Sequence, residues 1–206
     1  EFGKRGADGD DCEADHEIRD AEGRGDFDRA DDEEPRTGDK QGEAGDVVLA
    51  SRVRLARNLE GIPFPNRADM KQLEKVQRVA AESFAALEQA VGQELTVLPI
   101  DSLSQLERSL LVEKQLISRN LLKKPEYRSA FISEDKAVSL LVNEEDHFRI
   151  QCMAPGLDLK GPFQLASRLD DALEARENIA FDESLGYLTS CPTNLGTAMR
   201  ASVMVH

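Results

Sequence analysis

The 206-residue chain contains no tryptophan and only two tyrosines. With so few stacking rings and a net charge of −14, it lacks the basic, ring-studded surface that nucleic acids need, and no direct nucleic-acid partner is expected. Cysteine is scarce too. Cys12, Cys152 and Cys191 are odd in number and widely spaced, with no C-x-x-C pair and no neighbouring histidine ladder. That pattern argues against a disulfide framework and a zinc site, and no protein-held metal is expected. No apolar run approaches the roughly 20 residues of a bilayer span, and no charged segment leads into a short apolar one as in a signal peptide. The default is a cytoplasmic protein with no membrane partner. An initiator methionine is also missing, and the opening Glu1-Phe2 reads as a cloned or incompletely sequenced start.

Charge is divided unevenly. Residues 1–46 hold 18 acids against 7 bases, whereas residues 47–206 hold 22 against 19. The first stretch also holds eight of the fourteen glycines and only nine apolar residues, too few to offset the entropy of ordering it. It reads as a disordered acidic leader, with an interaction arm for a basic partner as the functional alternative. About 160 residues remain, enough for one folded unit over 47–206.

Apolar periodicity sketches that unit. Met70, Leu73, Val76, Val79, Ala80, Phe84, Leu87 and Val91 recur at spacings of three and four and predict one helix over 69–91, stopped by Gly92. A strand at 95–100 precedes a second helix, whose Ser104-x-x-Glu107 has the form of a capping box and which runs through Leu106, Leu110 and Leu111. Runs at 130–132, 137–142 and 148–153 read as strands joined by short polar connections, as in antiparallel hairpins. A further helix is predicted over 159–179, and from Gly186 small and polar residues lead into an apolar strand. The expected class is α+β, an antiparallel sheet flanked by helices.

Three clusters stand out. In Val142-Asn143-Glu144-Glu145-Asp146-His147-Phe148-Arg149, consecutive acids interrupt two apolar strands just ahead of an arginine, a segment suited to holding charge in a pocket. In Ser51-Arg52-Val53-Arg54-Leu55-Ala56-Arg57-Asn58, alternation places Arg52 and Arg54 on one face of an extended segment. Two guanidinium forks there suit a polyphosphate, since each binds oxygens bidentately and keeps its charge near neutral pH; a solvated basic strand edge is the other reading. Between Gly186 and Gly196, glycine permits close backbone approach, Pro192 fixes a turn, and hydroxyls with Asn194 supply donors, which fits a ligand-facing loop or a plain turn. Cys152 alternates with Phe148 and Ile150 and reads as core. His147 reads as an organiser of its loop through hydrogen bonds.

Taken in order, S-x-V-R-L-A-R-N, N-E-E-D-H-x-R and C-P-T-N-x-G-T-x-x-R-A-S resemble the phosphagen, or guanidino, kinase superfamily. The closer resemblance is to its bacterial branch, the protein arginine kinases of the McsB type, and it covers about residues 46–206. The wording Leu188-Thr189-Ser190-Cys191-Pro192-Thr193-Asn194 favours that branch over the kinases of free creatine or arginine, as does the lack of a folded helical domain before Val47.

The resemblance implies transfer of the γ-phosphoryl group of ATP, with Mg²⁺, to an arginine side chain of another protein, giving phosphoarginine and ADP. It assigns Glu145 to orient the acceptor and take its proton, a need that follows from the poor nucleophilicity of guanidinium nitrogens. It places Arg52, Arg54, Arg149 and Arg200 on the ATP phosphates, with Ala50, Ser51, Val53 and Gln115 around them, and puts Ala201, Ser202, Val203 and Met204 on the nucleotide-binding strand. Cys191 occupies the family's reactive-cysteine position, with substrate positioning and tuning as its implied role. Two residues depart from the pattern. Gln115 stands where a nucleotide-contacting histidine is usual, and Ala198 replaces a glycine, so that a positive φ there would strain the loop aiming Arg200. By the same resemblance a second carboxylate and further phosphate-binding arginines fall past His206. Residues 47–206 then read as the amino-terminal portion of a catalytic domain, truncated at its C-terminus, and this stretch alone is expected to have little or no activity. The implied partners are proteins with exposed arginine, a zinc-binding activator, the heat-shock repressor and the Clp protease machinery, in a stress response. An inactive module of the same fold that binds arginine-bearing partners, and a free-arginine kinase, are the alternatives.

Overall fold

The computed structural model describes residues 46–206; apart from Asp46, the leader expected over 1–46 lies outside the described residues. The chain runs β1 (Val48–Arg57), α1 (Met70–Glu82), α2 (Phe84–Val91), β2 (Leu95–Pro99), α3 (Gln105–Glu113), β3 (Ser129–Ser133), β4 (Val138–Val142), β5 (Phe148–Pro155), α4 (Lys160–Glu174), β6 (Phe181–Asp182), β7 (Gly186–Tyr187) and β8 (Met199–Val205). Six strands form one antiparallel sheet in the order β2-β3-β4-β5-β1-β8, and β6 pairs with β7 in a separate hairpin.

The two faces of this sheet differ in chemistry. On one, Val53, Leu55, Phe131, Leu140, Phe148 and Ile150 are buried against Val76 and Val79 of α1, Leu87 of α2, and Leu169 and Leu173 of α4. Each such side chain contributes on the order of 1.5–3 kcal/mol by leaving water, so this face holds the fold together. The opposite face is covered over β3 and β4, where Ala130, Ile132 and Leu141 meet Ile100, Leu116, Ile117 and Leu121. Beyond that cover, over β5, β1 and β8, alternation brings polar and cationic residues to the surface.

Several elements differ from their sequence signatures for visible reasons. The helix predicted over 69–91 is two helices. It starts as expected, with Asp69 and Gln72 exchanging side-chain and backbone bonds in a capping box. At buried Ser83, however, the hydroxyl donates to the Val79 carbonyl at 2.9 Å, a back-bond that competes with the helical ladder and bends it. Gly92 closes α2 at φ +83, where an L side chain is disfavoured. The Ser104–Glu107 capping box is present, yet α3 buries no residue and its Leu106 and Leu110 are exposed. α4 stops at Glu174 rather than 179, because the chain leaves the helix to bridge Ile179 to Leu59 and to donate from the Ala180 amide to the Asn58 carbonyl at 2.7 Å. Among the described residues, no helix is long and apolar enough to cross a membrane.

Candidate active site

Strand register gathers the arginines. Arg54 stands opposite Arg200 on β8 and Gln151 on β5, Arg52 stands opposite Ser202 and Met153, and Arg149 stands opposite Ala56. Residues directly opposite in an antiparallel pair share a face, so Arg52, Arg54, Arg149 and Arg200 all rise from the side away from α1, α2 and α4. Three adjacent strands thereby concentrate positive charge in planar forks suited to phosphate oxygens. Arg52 donates from Nε to Ser202 Oγ and from Nη1 to Gln115 Oε1, both at 3.4 Å, and Gln115 Nε2 lies 4.0 Å from Met204 Sδ. Gln115 therefore reaches across the sheet to β8. Its backbone has φ +57, and its carbonyl accepts from Gln151 Nε2 at 2.7 Å. Gln151 is a supporting residue missing from the sequence expectations, although its place two residues after Arg149 already put it on the arginine face.

The acidic octapeptide forms the β4–β5 turn. Asn143, at φ +59, donates its amide to the His147 carbonyl, while its Nδ2 donates to the Leu73 and Tyr127 carbonyls and ties the turn to α1. Glu144 and Asp146 are buried, whereas the Glu145 side chain keeps 29% of its exposure. Arg149 bridges two of these acids, with Nη1 donating to Glu144 Oε1 at 3.1 Å and Nη2 donating to Glu145 Oε2 at 3.2 Å. Nη1 also comes within 2.9 Å of Glu144 Oε2, a charge contact without hydrogen-bond alignment. Ser118 Oγ donates to Glu144 Oε1 and completes the anchorage. His147 is fully buried. Its Nδ1 accepts from the Leu59 amide at 3.0 Å and its Nε2 faces the Pro63 carbonyl at 2.9 Å, which selects the neutral ring with the proton on Nε2. Burial holds its pKa down to about 4, so it organises the loop as expected.

Asp146 joins this turn to the cysteine loop. Its Oδ1 accepts from the Ser190 amide and from Asn58 Nδ2, both at 2.7 Å. Burial raises its carboxyl above the usual range, and these two donors and Arg149 act against that rise. Asn58 also donates to the Leu188 carbonyl and accepts from the His147 amide at 2.8 Å. The end of β1, the acidic turn and the segment carrying Cys191 thus meet at one carboxylate. Cys191 is 8% exposed with its Sγ 3.0 Å from Thr193 Oγ1, and the Thr189 hydroxyl donates to the Cys191 carbonyl at 2.8 Å. Gly186 has φ +79, and a Cβ there would fall 2.3 Å from the Gly196 carbonyl oxygen, so this loop closes only around glycine.

Not every expected residue faces the arginine side. Ser51 and Val53 alternate with Arg52 and Arg54 and point the other way, which sets their side chains apart from the arginine face. Val53 is core, while the buried Ser51 hydroxyl donates to the Gly156 carbonyl at 2.7 Å and accepts from the Asp158 amide at 3.0 Å, pinning the β5–α4 connection. Ala201 and Val203, paired with Val53 and Ser51, lie on that same face, leaving Ala50, Arg200, Ser202 and Met204 with the arginines. Ala198 is buried at φ +48, so the conformation that strains a non-glycine residue is present, and its carbonyl accepts from the Ala56 amide at 2.9 Å. Arg57 has a structural place, donating from Nη2 to Asp170 Oδ2 at 2.5 Å with its guanidinium 3.5 Å from the Tyr187 ring centroid. Cys152 is core, its thiol pushed up to about 12 by burial.

A sheet with one helix-packed face and one arginine face is thus bordered by a carboxylate turn and a cysteine loop. Residues 75–206 match the family model for ATP:guanido phosphotransferase, C-terminal catalytic domain, and the chain belongs to that family. It is 49% identical over 171 residues to the protein-arginine kinase of Pelotomaculum thermopropionicum, covering 82% of this chain and 48% of the relative. To the protein-arginine kinase of Desulforamulus reducens it is 48% identical over 167 residues, covering 80% and 46%. The chain thus spans about half the length of these curated relatives. Among solved structures, the duplicated taurocyamine kinase from Schistosoma mansoni with bound transition-state-analogue components has a TM-score of 0.69 at 29% identity, covering 77% of this chain and 23% of that one. Lombricine kinase has a TM-score of 0.69 at 24% identity, covering 89% and 54%, and supports the fold.

Proposed function

We propose that this chain is part of an enzyme that uses ATP to phosphorylate arginine side chains of other proteins. The observation that carries this reading is Arg149, held between buried Glu144 and accessible Glu145 at the border of the arginine face. Both charges needed for the reaction are present there. Arginines 52, 54, 149 and 200 take the negative oxygens of the phosphates, and Glu145 takes the cationic acceptor. As the acceptor nitrogen attacks the γ-phosphorus, the bond to the ADP oxygen breaks, the acceptor loses a proton and Glu145 receives it. Glu145 must leave Arg149 to do this. Glu144, anchored by Ser118, keeps Arg149 in place meanwhile. Cys191 positions the acceptor in this reading, which its tie to the acidic turn through Ser190 and Asp146 supports.

Mg²⁺ would arrive with ATP, held mainly by phosphate oxygens and water. Among the described residues no three His, Cys, Asp or Glu are grouped to cage a metal, and Mg²⁺ commonly relies on phosphate oxygens, water and one or two carboxylates. When bound, it neutralises charge on the phosphates. Substrate recognition would rest on exposed arginine in proteins, and the family resemblance extends the proposed partners to a zinc-binding activator, the heat-shock repressor and Clp protease machinery in the cytoplasm.

The test uses the product of the complete reading frame containing these residues, labelled ATP and an arginine-rich protein. Acid-labile label on the protein is expected, with Glu145→Gln lowering the rate by roughly 10²–10⁴-fold. Undiminished labelling by Glu145→Gln would refute the role of Glu145. Label on free arginine alone would favour a free-guanidino kinase, and partner binding without label would favour an inactive module.

A further inference from the structure

Beside the acidic turn lies a cavity of about 250 Å³ that the proposed chemistry leaves unused, walled by Ile62, Phe64, Ala180, Phe181 and Leu188, with Asn58 at its base. We propose that it receives an apolar side chain of the protein substrate, a few residues from the acceptor arginine; this rests on the protein-arginine reading above. Three observations fix the occupant. The volume falls below the roughly 300–1,000 Å³ of sites for cofactors and drug-sized ligands, and suits one or two side chains.

Second, one residue of the cavity is hydrogen-bonded to the acidic turn and to the strand end before the cysteine loop. Asn58 donates to Asp146, the neighbour of Glu145, and also to the carbonyl of Leu188, three residues before Cys191. An extended polypeptide advances about 3.3–3.6 Å per residue, so a side chain a few residues from the acceptor arginine is the one such a neighbouring cavity would take. Third, Glu60 lines the opening, and Asp182 and Glu183 stand exposed beside Phe181 on the β6–β7 hairpin. One acid among the apolar walls and two more exposed next to Phe181 complement a basic, arginine-bearing segment. Phe181 is 58% exposed although it packs edge-on to Tyr187, which leaves its outer surface accessible to a partner.

The test measures kcat/KM of the complete reading-frame product on peptides with one central arginine in a Gly/Ser/Lys background, with a single leucine scanned up to four residues to either side. One or two leucine positions should raise kcat/KM about ten-fold over serine, chiefly through KM, the scale of burying most of one leucine side chain. Ala180→Leu, which fills the cavity, and Phe181→Ser, which removes a wall from an exposed position, should both abolish the preference while phosphorylating the all-serine peptide at the wild-type rate. If Ala180→Leu fails to fold, Phe181→Ser carries the test. Equal rates at every leucine position, or a preference that survives Phe181→Ser, overturn the pocket while leaving arginine phosphorylation standing. Label on no arginine peptide overturns both.

Discussion

Acidification should unfold this protein partly through a single buried ring. His147 is neutral, fully buried, and held to a pKa of about 4 by burial, against 6.5 for the free side chain. Because its folded pKa is depressed, the unfolded chain binds a proton first as pH falls. The stability associated with a neutral His147 is whole above about pH 6.5 and drains away between there and about pH 4. At about 1.4 kcal/mol per unit, the full loss is on the order of 3 kcal/mol, a large share of an ordinary domain's 5–15 kcal/mol. Asp146 and Asp170 work in the opposite sense, since burial raises both, and protonation on acidification relieves their cost. The histidine contribution is isolated by comparing wild type with His147→Gln, whose amide can donate and accept but cannot become cationic. Urea unfolding from pH 7.5 to pH 4 should show the variant less stable at neutral pH but converging on wild type, or overtaking it, as pH falls. Parallel stability curves would refute the reasoning.

Further outcomes follow from other contacts. Gly92→Ala adds a Cβ in open space and should cost about 1 kcal/mol from its positive φ alone, whereas Gly186→Ala also collides with the Gly196 carbonyl and should cost well over that; equal losses in thermal melts would contradict the clash. Arg57→Met strands the buried Asp170 carboxylate and should cost about 3 kcal/mol, most of it recovered by adding Asp170→Leu; strictly additive losses by denaturant unfolding would rule out the pairing. Cys152, with its thiol pushed up to about 12, should resist a thiol reagent at pH 8 until urea is added, and mass spectrometry of the labelled peptides would show otherwise if it reacts in the native state.

Legibility in the sequence tracked the range of the interaction. Period-two alternation placed Arg52 and Arg54 together, and a three-residue spacing revealed the Ser104 capping box, because both depend on neighbours along one element. Ser83 was lost inside a good helical pattern, since its break depends on which way one hydroxyl turns. Leu106 and Leu110 look like core in a helical projection, yet exposure is settled by what packs from outside. Ser51 and Val53 show the limit of motif assignment, as contiguous residues in a strand go to opposite faces. The Asn58–Asp146–Ser190 junction spans separations of 88 and 44 residues and has no local signature.

The two-faced character of β1 reaches beyond the reaction. A one-residue slip of this strand against β5 and β8 would turn Arg52 and Arg54 into the layer under α1 and α4 and lift Val53 and Leu55 into water. Unpaired guanidinium groups in that apolar layer would cost several kcal/mol each, far more than the slip forfeits elsewhere. Arg52 and Arg54 therefore also guard strand pairing during folding. A chain stripped of them would keep its apolar pattern and lose a penalty that separates the native register from its neighbours.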